Sequence, residues 1–142
     1  MQIKLAQSEK EIEDCFPIMV QLRPQLSKEE FVSRAKRQRQ QGYQLVFIKD
    51  KDKIVSVAGF RILENLVSGK FLCIDDFVTD EQMRSQGFGD ALIDWLVAFA
   101  KREKCTSLQL DSGVERMTAH RFYFKKRMGI YAYHFVLPLQ EI

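Results

Sequence analysis

Histidine and cysteine are scarce in this chain. There are two histidines, His120 and His134, and three cysteines, Cys15, Cys73 and Cys105. The histidines lack metal-ligand spacing with Cys, Asp or Glu, and the thiols are odd in number and scattered. No metal clip or disulfide framework can be drawn from them. No metal is expected, and the compartment expected is a reducing one, the cytoplasm. Proline and glycine are thin as well, at three and seven residues. They build no linker, and no repeat or low-complexity stretch interrupts the chain. It therefore reads as one domain, residues 1–142. Long apolar runs are missing. The most apolar stretch, Ala91–Ala100, carries Asp94 and is too short to cross a bilayer. No basic-then-apolar leader pattern is seen at the N-terminus. Charges of the two signs nearly cancel, leaving a formal net charge of +3. That balance permits an anionic ligand without demanding nucleic acid. Apolar residues are plentiful, at 46% of 142 residues, which is enough for a core without covalent staples.

The periodicity changes along the chain. Ile3–Ala6 alternates weakly, as a first strand would. Ser8–Val20 reads as a helix capped by Ser8, and Pro24 stops any continuation. Ser27-Lys-Glu-Glu30 is a capping-box pattern opening a second helix to about Gln41, with Gly42 as its stop. Tyr43–Ile48 and Ile54–Ile62 are β-rich runs joined by the charged turn Asp50-Lys-Asp-Lys53, which predicts a hairpin. A looser connection, Leu63–Gly69, leads to a third run, Phe71–Thr79. Phe88–Lys104 has helical spacing, with Leu92, Leu96 and Phe99 on one face. Thr106–Leu110 reads as a strand, Glu115–Lys126 as a helix and Ile130–Leu137 as a last strand. The order β-α-α-β-β-β-α-β-α-β predicts a mixed α+β fold, with a mostly antiparallel sheet flanked by helices. A doubly wound parallel sheet would alternate strand and helix throughout.

The segment between the third run and the long helix carries the chemistry. Phe77-Val-Thr-Asp-Glu-Gln-Met-Arg-Ser-Gln-Gly-Phe-Gly89 ends a strand, makes a polar turn and starts a helix at two close glycines. A helix N-terminus offers unpaired N–H groups and the positive end of the helix dipole, so it suits an anion. Gly87 and Gly89 would let a diphosphate approach the backbone, and Arg84 and Ser85 add donors. A Walker loop is excluded, because Phe88 and Gly89 follow Gly87 where Lys and Ser/Thr are needed. The Rossmann fingerprint is excluded by the missing third glycine and early βαβ unit.

Arg84-Ser-Gln-Gly87-Phe-Gly89 resembles the Arg/Gln-x-x-Gly-x-Gly/Ala signature of the GNAT family of N-acetyltransferases. Ile74-Asp-Asp-Phe-Val-Thr79 looks like that family's central strand, Ala119-His-Arg-Phe-Tyr123 like its late helix, and Tyr133-His-Phe135 like a closing strand of many bacterial members. The resemblance covers roughly Tyr43–Phe135. It implies the acyl-CoA N-acyltransferase fold and an acetyl-CoA-dependent N-acetyltransferase. By the same resemblance, acetyl-CoA contacts Phe77, Val78 and Thr79 with its pantetheine arm and Arg84, Ser85, Gln86, Gly87, Phe88 and Gly89 with its pyrophosphate. Many members have Tyr-x-Lys-x-Gly-Phe after the late helix. Here Arg127 takes the place of the glycine, which would suit a left-handed helix stop. Arg116 lies near the place of an Asn that many members carry.

Acetyl transfer to an amine needs a neutral amine, a polarised thioester carbonyl and a proton for the leaving thiolate. Tyr123 is the candidate general acid on the family's pattern, with plain packing as its alternative role. Asp75 or Asp76 is the candidate base, with loop capping or backbone binding as alternatives. As neighbours on one strand they are expected on opposite faces. Glu64, in the loop before that strand, is a third candidate, and water a fourth. No Cys or Ser lies in a nucleophile motif, so direct attack in a ternary complex is expected. His120 could reach the site from the last helix, or be a satisfied structural residue. Cys73 and Cys105 read as small apolar packers. The basic stretch Arg34-Ala-Lys-Arg-Gln-Arg39 reads as a solvated helix face, since no aromatics are interleaved for base stacking. Leu22-Arg-Pro24 and this helix are expected to wall the acceptor side.

The partner expected is an amine acceptor, small molecule or protein. Nucleic acid and membrane are not expected. Two other readings stay open: a non-catalytic acyl-CoA-binding regulatory module, which could dispense with Tyr123, and an RNA-directed acetyltransferase toxin. A homodimer is open too, because Ile130–Leu137 offers an edge to pair or swap.

Overall fold

The computed structural model describes residues 1–140. The chain divides into two compact units, Met1–Leu110 and the residues from Asp111 onward.

The first unit is built on a five-stranded sheet in the order β1-β2-β3-β4-β5. β1 is Gln2–Leu5, β2 Gln44–Asp50, β3 Lys53–Asn65, β4 Gly69–Thr79 and β5 Ser107–Leu110. The first four pair antiparallel, and β5 runs parallel to β4. This is the mixed, mostly antiparallel sheet expected. The β2–β3 hairpin closes through Lys51-Asp52, with φ of 50° and 62°. Positive φ at both positions matches strand twist, even without the usual Asn-Gly. The connection from β3 to β4 is tighter than expected. Leu63, Glu64 and Asn65 stay in β3, opposite Phe71, Lys70 and Gly69. The turn closes when Asn65 Oδ1 accepts from the Ser68 amide at 2.7 Å.

Helices cover both faces of this sheet. On one face lie α1 (Glu9–Asp14), α2 (Phe16–Leu22) and α3 (Lys28–Arg39). Ile12, Cys15, Ile18, Met19, Phe31 and Ala35 pack there with Leu45, Phe47, Val57 and Val78. Ser8 and Glu11 form a reciprocal capping box at α1. The single helix expected over Ser8–Val20 is two helices. Pro17 has no amide proton to continue α1, so the chain restarts with proline in the first turn of α2. Ser27 caps α3, whose end passes into Gly42 at φ 93°.

On the other face lies α4 (Phe88–Arg102). It buries Phe88, Leu92, Ile93, Leu96 and Ala100, a stripe at helical spacing. Each of the large side chains contributes about 1.5–3 kcal/mol relative to exposure. Phe60 of β3 meets Trp95 and Phe99 of α4 edge-on, at ring separations of 6.3 and 5.2 Å.

In the second unit, α5 spans Met117–Lys125. It stops in a Schellman motif. The Met128 amide donates to the Tyr123 carbonyl and the Arg127 amide to the Phe124 carbonyl, both at 3.0 Å. Arg127 sits at the left-handed position, φ 67°, where glycine is usual. Among the described residues none after Lys125 lies in a helix or strand. The strand expected over Ile130–Leu137 is therefore not formed, because a strand exists only through a paired neighbour. Tyr131, Tyr133, Phe135, Leu137 and Leu139 are 81–96% exposed.

Candidate active site

β4 is paired unequally along its length. β5 lies beside Phe71–Ile74 only, while β3 accompanies β4 as far as Thr79. From Asp75 to Thr79, among the described residues, β3 is the one strand paired with β4. Val78 and Asp80 turn their backbone toward β3. The Val78 carbonyl accepts from Ser56 Oγ at 3.2 Å, and the Asp80 amide donates to the Val55 carbonyl at 2.8 Å. By alternation, the backbone of Phe77 and Thr79 faces the side that β5 has left.

The same strand leads directly into the glycine turn. Asp80, buried, accepts from the Gln82 amide at 3.2 Å and starts a short 3-10 turn, Glu81–Met83. Arg84, Ser85, Gln86 and Gly87 follow in exposed positions, and Phe88 turns inward. Ser85 and Gly87 both have positive φ, 64° and 87°. Nothing lies within 4 Å of where a Gly87 side chain would start, so conformation rather than crowding selects glycine there. Gly87 caps α4 without any side-chain hydrogen bond, whereas serines close α1 and α3. The first intrahelical bond of α4 runs from the Ala91 amide to the Gly87 carbonyl at 3.0 Å. The helix start thus keeps the positive end of its dipole open to an anion. Gly89 is different, because its φ is not among the positive ones and its conformation does not call for glycine. An extended arm of amides ending in a diphosphate fits this order of features: an open strand side, then a glycine-turned helix start.

The two aspartates of β4 are placed by a β-bulge. Gly59 pairs with Asp76 and Phe60 with Ile74, so Asp75 is an extra residue in the ladder. The bulge cancels the expected opposition of the two side chains. Tyr43 Oη donates to Asp76 Oδ2 at 2.7 Å, and it also fills the space beside Gly59. Asp76 is therefore on the Gly59 face. Arg61, two residues along β3, shares that face and grips Asp75 with two bonds of 2.7 Å. Both carboxylates lie on the face covered by α1–α3. Arg23, just past α2, completes the cluster with Nε 3.0 Å from Asp76 Oδ1 and Nη2 3.0 Å from the Asp75 carbonyl. Burial and the neighbouring Asp76 charge push the Tyr43 phenol well above its ordinary value. It stays protonated and donates. Arg61 and Tyr43 were not singled out from the sequence, and Arg23 was read only as part of the acceptor wall. The available signal was two adjacent carboxylates in an apolar strand, which need counter-charges.

The remaining candidates lie as follows. Tyr123 is buried on α5, and burial raises its phenol above the ordinary 10, with Arg116 pulling the other way. His120 Nε2 lies 2.8 Å from the Gly113 carbonyl. Glu64 is on β3 opposite Lys70, not in a loop. Cys73 Sγ lies 3.9 Å from Asp75 Oδ1. The basic stretch of α3 is engaged locally: Arg37 with Ser33, Lys36 with Glu9, Arg39 with the Gln7 carbonyl and Arg34 with Glu30. Among the described residues no group of His, Cys, Asp and Glu could hold a metal, and no helix is long and apolar enough to cross a membrane.

The sequence profile of the Acetyltransferase (GNAT) family matches residues 7–130. This chain belongs to the GNAT family. Its match spans residues of both units. An uncharacterized N-acetyltransferase of Bacillus subtilis (strain 168), YhdJ, is 31% identical over 140 residues, covering 96% of this chain and 98% of that protein. The fold is shared with a Trypanosoma brucei acetyltransferase, at TM-score 0.79 and 24% identity over 97% of this chain and 99% of that one. It is shared also with a ribosomal-protein-alanine N-acetyltransferase of Brucella melitensis biovar Abortus 2308, at TM-score 0.84 and 16% identity over 98% and 100%. As a GNAT protein the chain is an acyltransferase dependent on acetyl-CoA, the co-substrate of this family.

Proposed function

We propose that this enzyme moves the acetyl group of acetyl-CoA to a primary amine by direct attack in a ternary complex. The observation that carries the reading is the continuity of β4 with the α4 start: a strand side without a neighbour, running straight into an uncapped, glycine-turned helix N-terminus. In this reading the backbone at Phe77, Val78 and Thr79 binds the pantetheine arm. Arg84, Ser85, Gln86, Gly87, Phe88 and Gly89 hold the pyrophosphate. Phe88 contributes through its main chain, since its side chain is buried. Backbone donors along β4 polarise the thioester carbonyl.

Tyr123 protonates the departing thiolate. Its place in the motif and its raised, hence protonated, phenol support that role. The amine's proton goes to Asp75, Asp76 or water. Both aspartates are fixed by arginine, so either would act from a set position. Arg23, anchored on Asp76, walls the acceptor side. The enzyme works as a cytoplasmic protein on a small-molecule or protein amine.

Calorimetric titration with acetyl-CoA, followed by a thiol-release screen across amines, tests this. Binding with turnover of an amine is expected. Absence of binding would remove the assigned turn, and binding without turnover of any amine would remove the catalytic reading.

A further inference from the structure

Every carboxylate oxygen of the cluster on β4 already takes a hydrogen bond, while its arginines have donors left over. Asp75 Oδ1 and Oδ2 accept from Arg61 Nη2 and Nε, both at 2.7 Å. Asp76 Oδ1 accepts from Arg23 Nε at 3.0 Å and Oδ2 from Tyr43 Oη at 2.7 Å. A guanidinium carries five N–H groups in a planar fork. Arg23 uses two of them, on Asp76 and on the Asp75 carbonyl, and its side chain is 40% exposed. Arg61 uses two on Asp75 and is 32% exposed. What the cluster can still offer a ligand is therefore N–H. The aspartates hold both forks in place, and a fork set in advance loses little freedom on taking a carboxylate or a phosphate. Two arginines and two aspartates cancel in charge, so selectivity comes from placed donors rather than from a net field.

The cluster also lies where an acceptor must arrive. With the pyrophosphate on Arg84–Gly89 and the pantetheine arm on Phe77–Thr79, the arm runs backwards along β4. Its thioester end then lies toward Asp76 and Asp75. Arg23 reaches that end from the C-terminal cap of α2, and Arg61 reaches it from β3. We propose that the acceptor is an amine that also carries an anionic group, a carboxylate or a phosphate, and that Arg23 and Arg61 hold that group. This rests on the cofactor placement given above. The transfer itself is unchanged: the N–C bond to the acetyl group forms, the C–S bond breaks, the amine gives up a proton and the thiolate takes one.

The test is steady-state thiol release from acetyl-CoA with amines in matched sets: a neutral amine, the same amine bearing a carboxylate, and the same amine bearing a phosphate. Ethanolamine, β-alanine and phosphoethanolamine make one such set. An anionic member should exceed its neutral counterpart in kcat/KM by about 10- to 150-fold, the range of one charge-assisted hydrogen bond, and the member preferred tells carboxylate from phosphate. Arg23→Gln should raise KM for that member by a similar factor. It should leave kcat, KM for the neutral amine and the dissociation constant for CoA near those of the parent, which a merely structural loss would not do. Arg23→Lys should restore only part, because an ammonium has no fork. Arg61→Lys gives the same test if Arg23→Gln does not fold. Neutral amines used as well as their anionic counterparts, or a KM that neither Arg23→Gln nor Arg61→Lys moves, would overturn the proposal and leave the acetyltransferase reading standing. Absence of CoA binding by the parent would remove the cofactor placement and this proposal with it.

Discussion

Gly89 and Gly87 sit two residues apart, yet replacing each with alanine should move stability in opposite directions. Gly89 is the second residue of α4 and has no positive φ. Glycine in a helix is about 0.5–1 kcal/mol worse than alanine, so Gly89→Ala should stabilise the fold by up to that amount. For a domain of this size that is a rise of roughly 2–4 °C in melting temperature. On the proposed reading, the same methyl group would stand where a pyrophosphate oxygen meets the backbone. Losing one charge-assisted hydrogen bond costs about 1.5–3 kcal/mol, or about 10- to 150-fold in the dissociation constant for CoA. Gly87 is held at φ 87°, so Gly87→Ala should destabilise by about 1–2 kcal/mol. Thermal melts and calorimetric titration with CoA on the two variants decide the matter. A Gly89→Ala protein that is more stable and binds CoA as tightly as the parent would refute backbone approach at this residue.

Tyr123→Phe should keep CoA affinity and lower the single-turnover rate by about 10²–10⁴-fold. A rate within a few-fold of the parent would remove the phenol from the mechanism. Because burial raises that phenol above 10, any loss of its acid function should set in only as pH climbs past 10. Arg127→Gly should stabilise the chain by about 1–2 kcal/mol in urea unfolding, by relieving a left-handed arginine in the Schellman stop. Glu11 is pulled from the ordinary 4.5 to about 2 by the Lys4 hydrogen bond and the Gln7 and Ser8 amides. A lowered folded-state value means stability present above 4.5 and lost as pH falls toward 2. Glu11→Gln should therefore cost about 1 kcal/mol near neutrality, with the difference gone at the acid end. A difference that persists at pH 2 would contradict this origin.

Local patterns were legible wherever one element supplied them. The stripe Leu92–Leu96, the β2–β3 hairpin and the turn Arg84–Gly89 could each be read from neighbours in sequence. The break at Cys15 was missed because the apolar spacing runs on unbroken through it, and only Pro17's missing donor interrupts the helix. Asp75 and Asp76 were read as opposed because a bulge leaves no mark on composition. It is a property of two strands in register. Arg23, Arg61 and Tyr43 join them from sequence separations of 53, 14 and 33 residues, which no periodicity spans. Glu64 was taken for a loop residue because the tight turn lies one step later, at Leu66–Ser68. The strand read over Ile130–Leu137 is absent among the described residues, because a strand's existence depends on a neighbour that sequence does not name.

The extra residue at Asp75 gives β4 a change of parity. Before it, even-numbered positions look toward α4: Ile74 pairs with Phe60, which packs on Trp95 and Phe99, and Leu72 follows suit. After it, even-numbered Val78 belongs to the opposite core, with Val57 and Leu45. The half of the strand that holds the sheet and the half that leads to the glycine turn are therefore out of phase by one residue. Substitution cannot undo that offset, but deleting a single aspartate would. The deletion of Asp75 would put β4 back in step with β3, with Ile74 still opposite Phe60 and Asp76 still opposite Gly59, and would leave Arg61 without the carboxylate it grips.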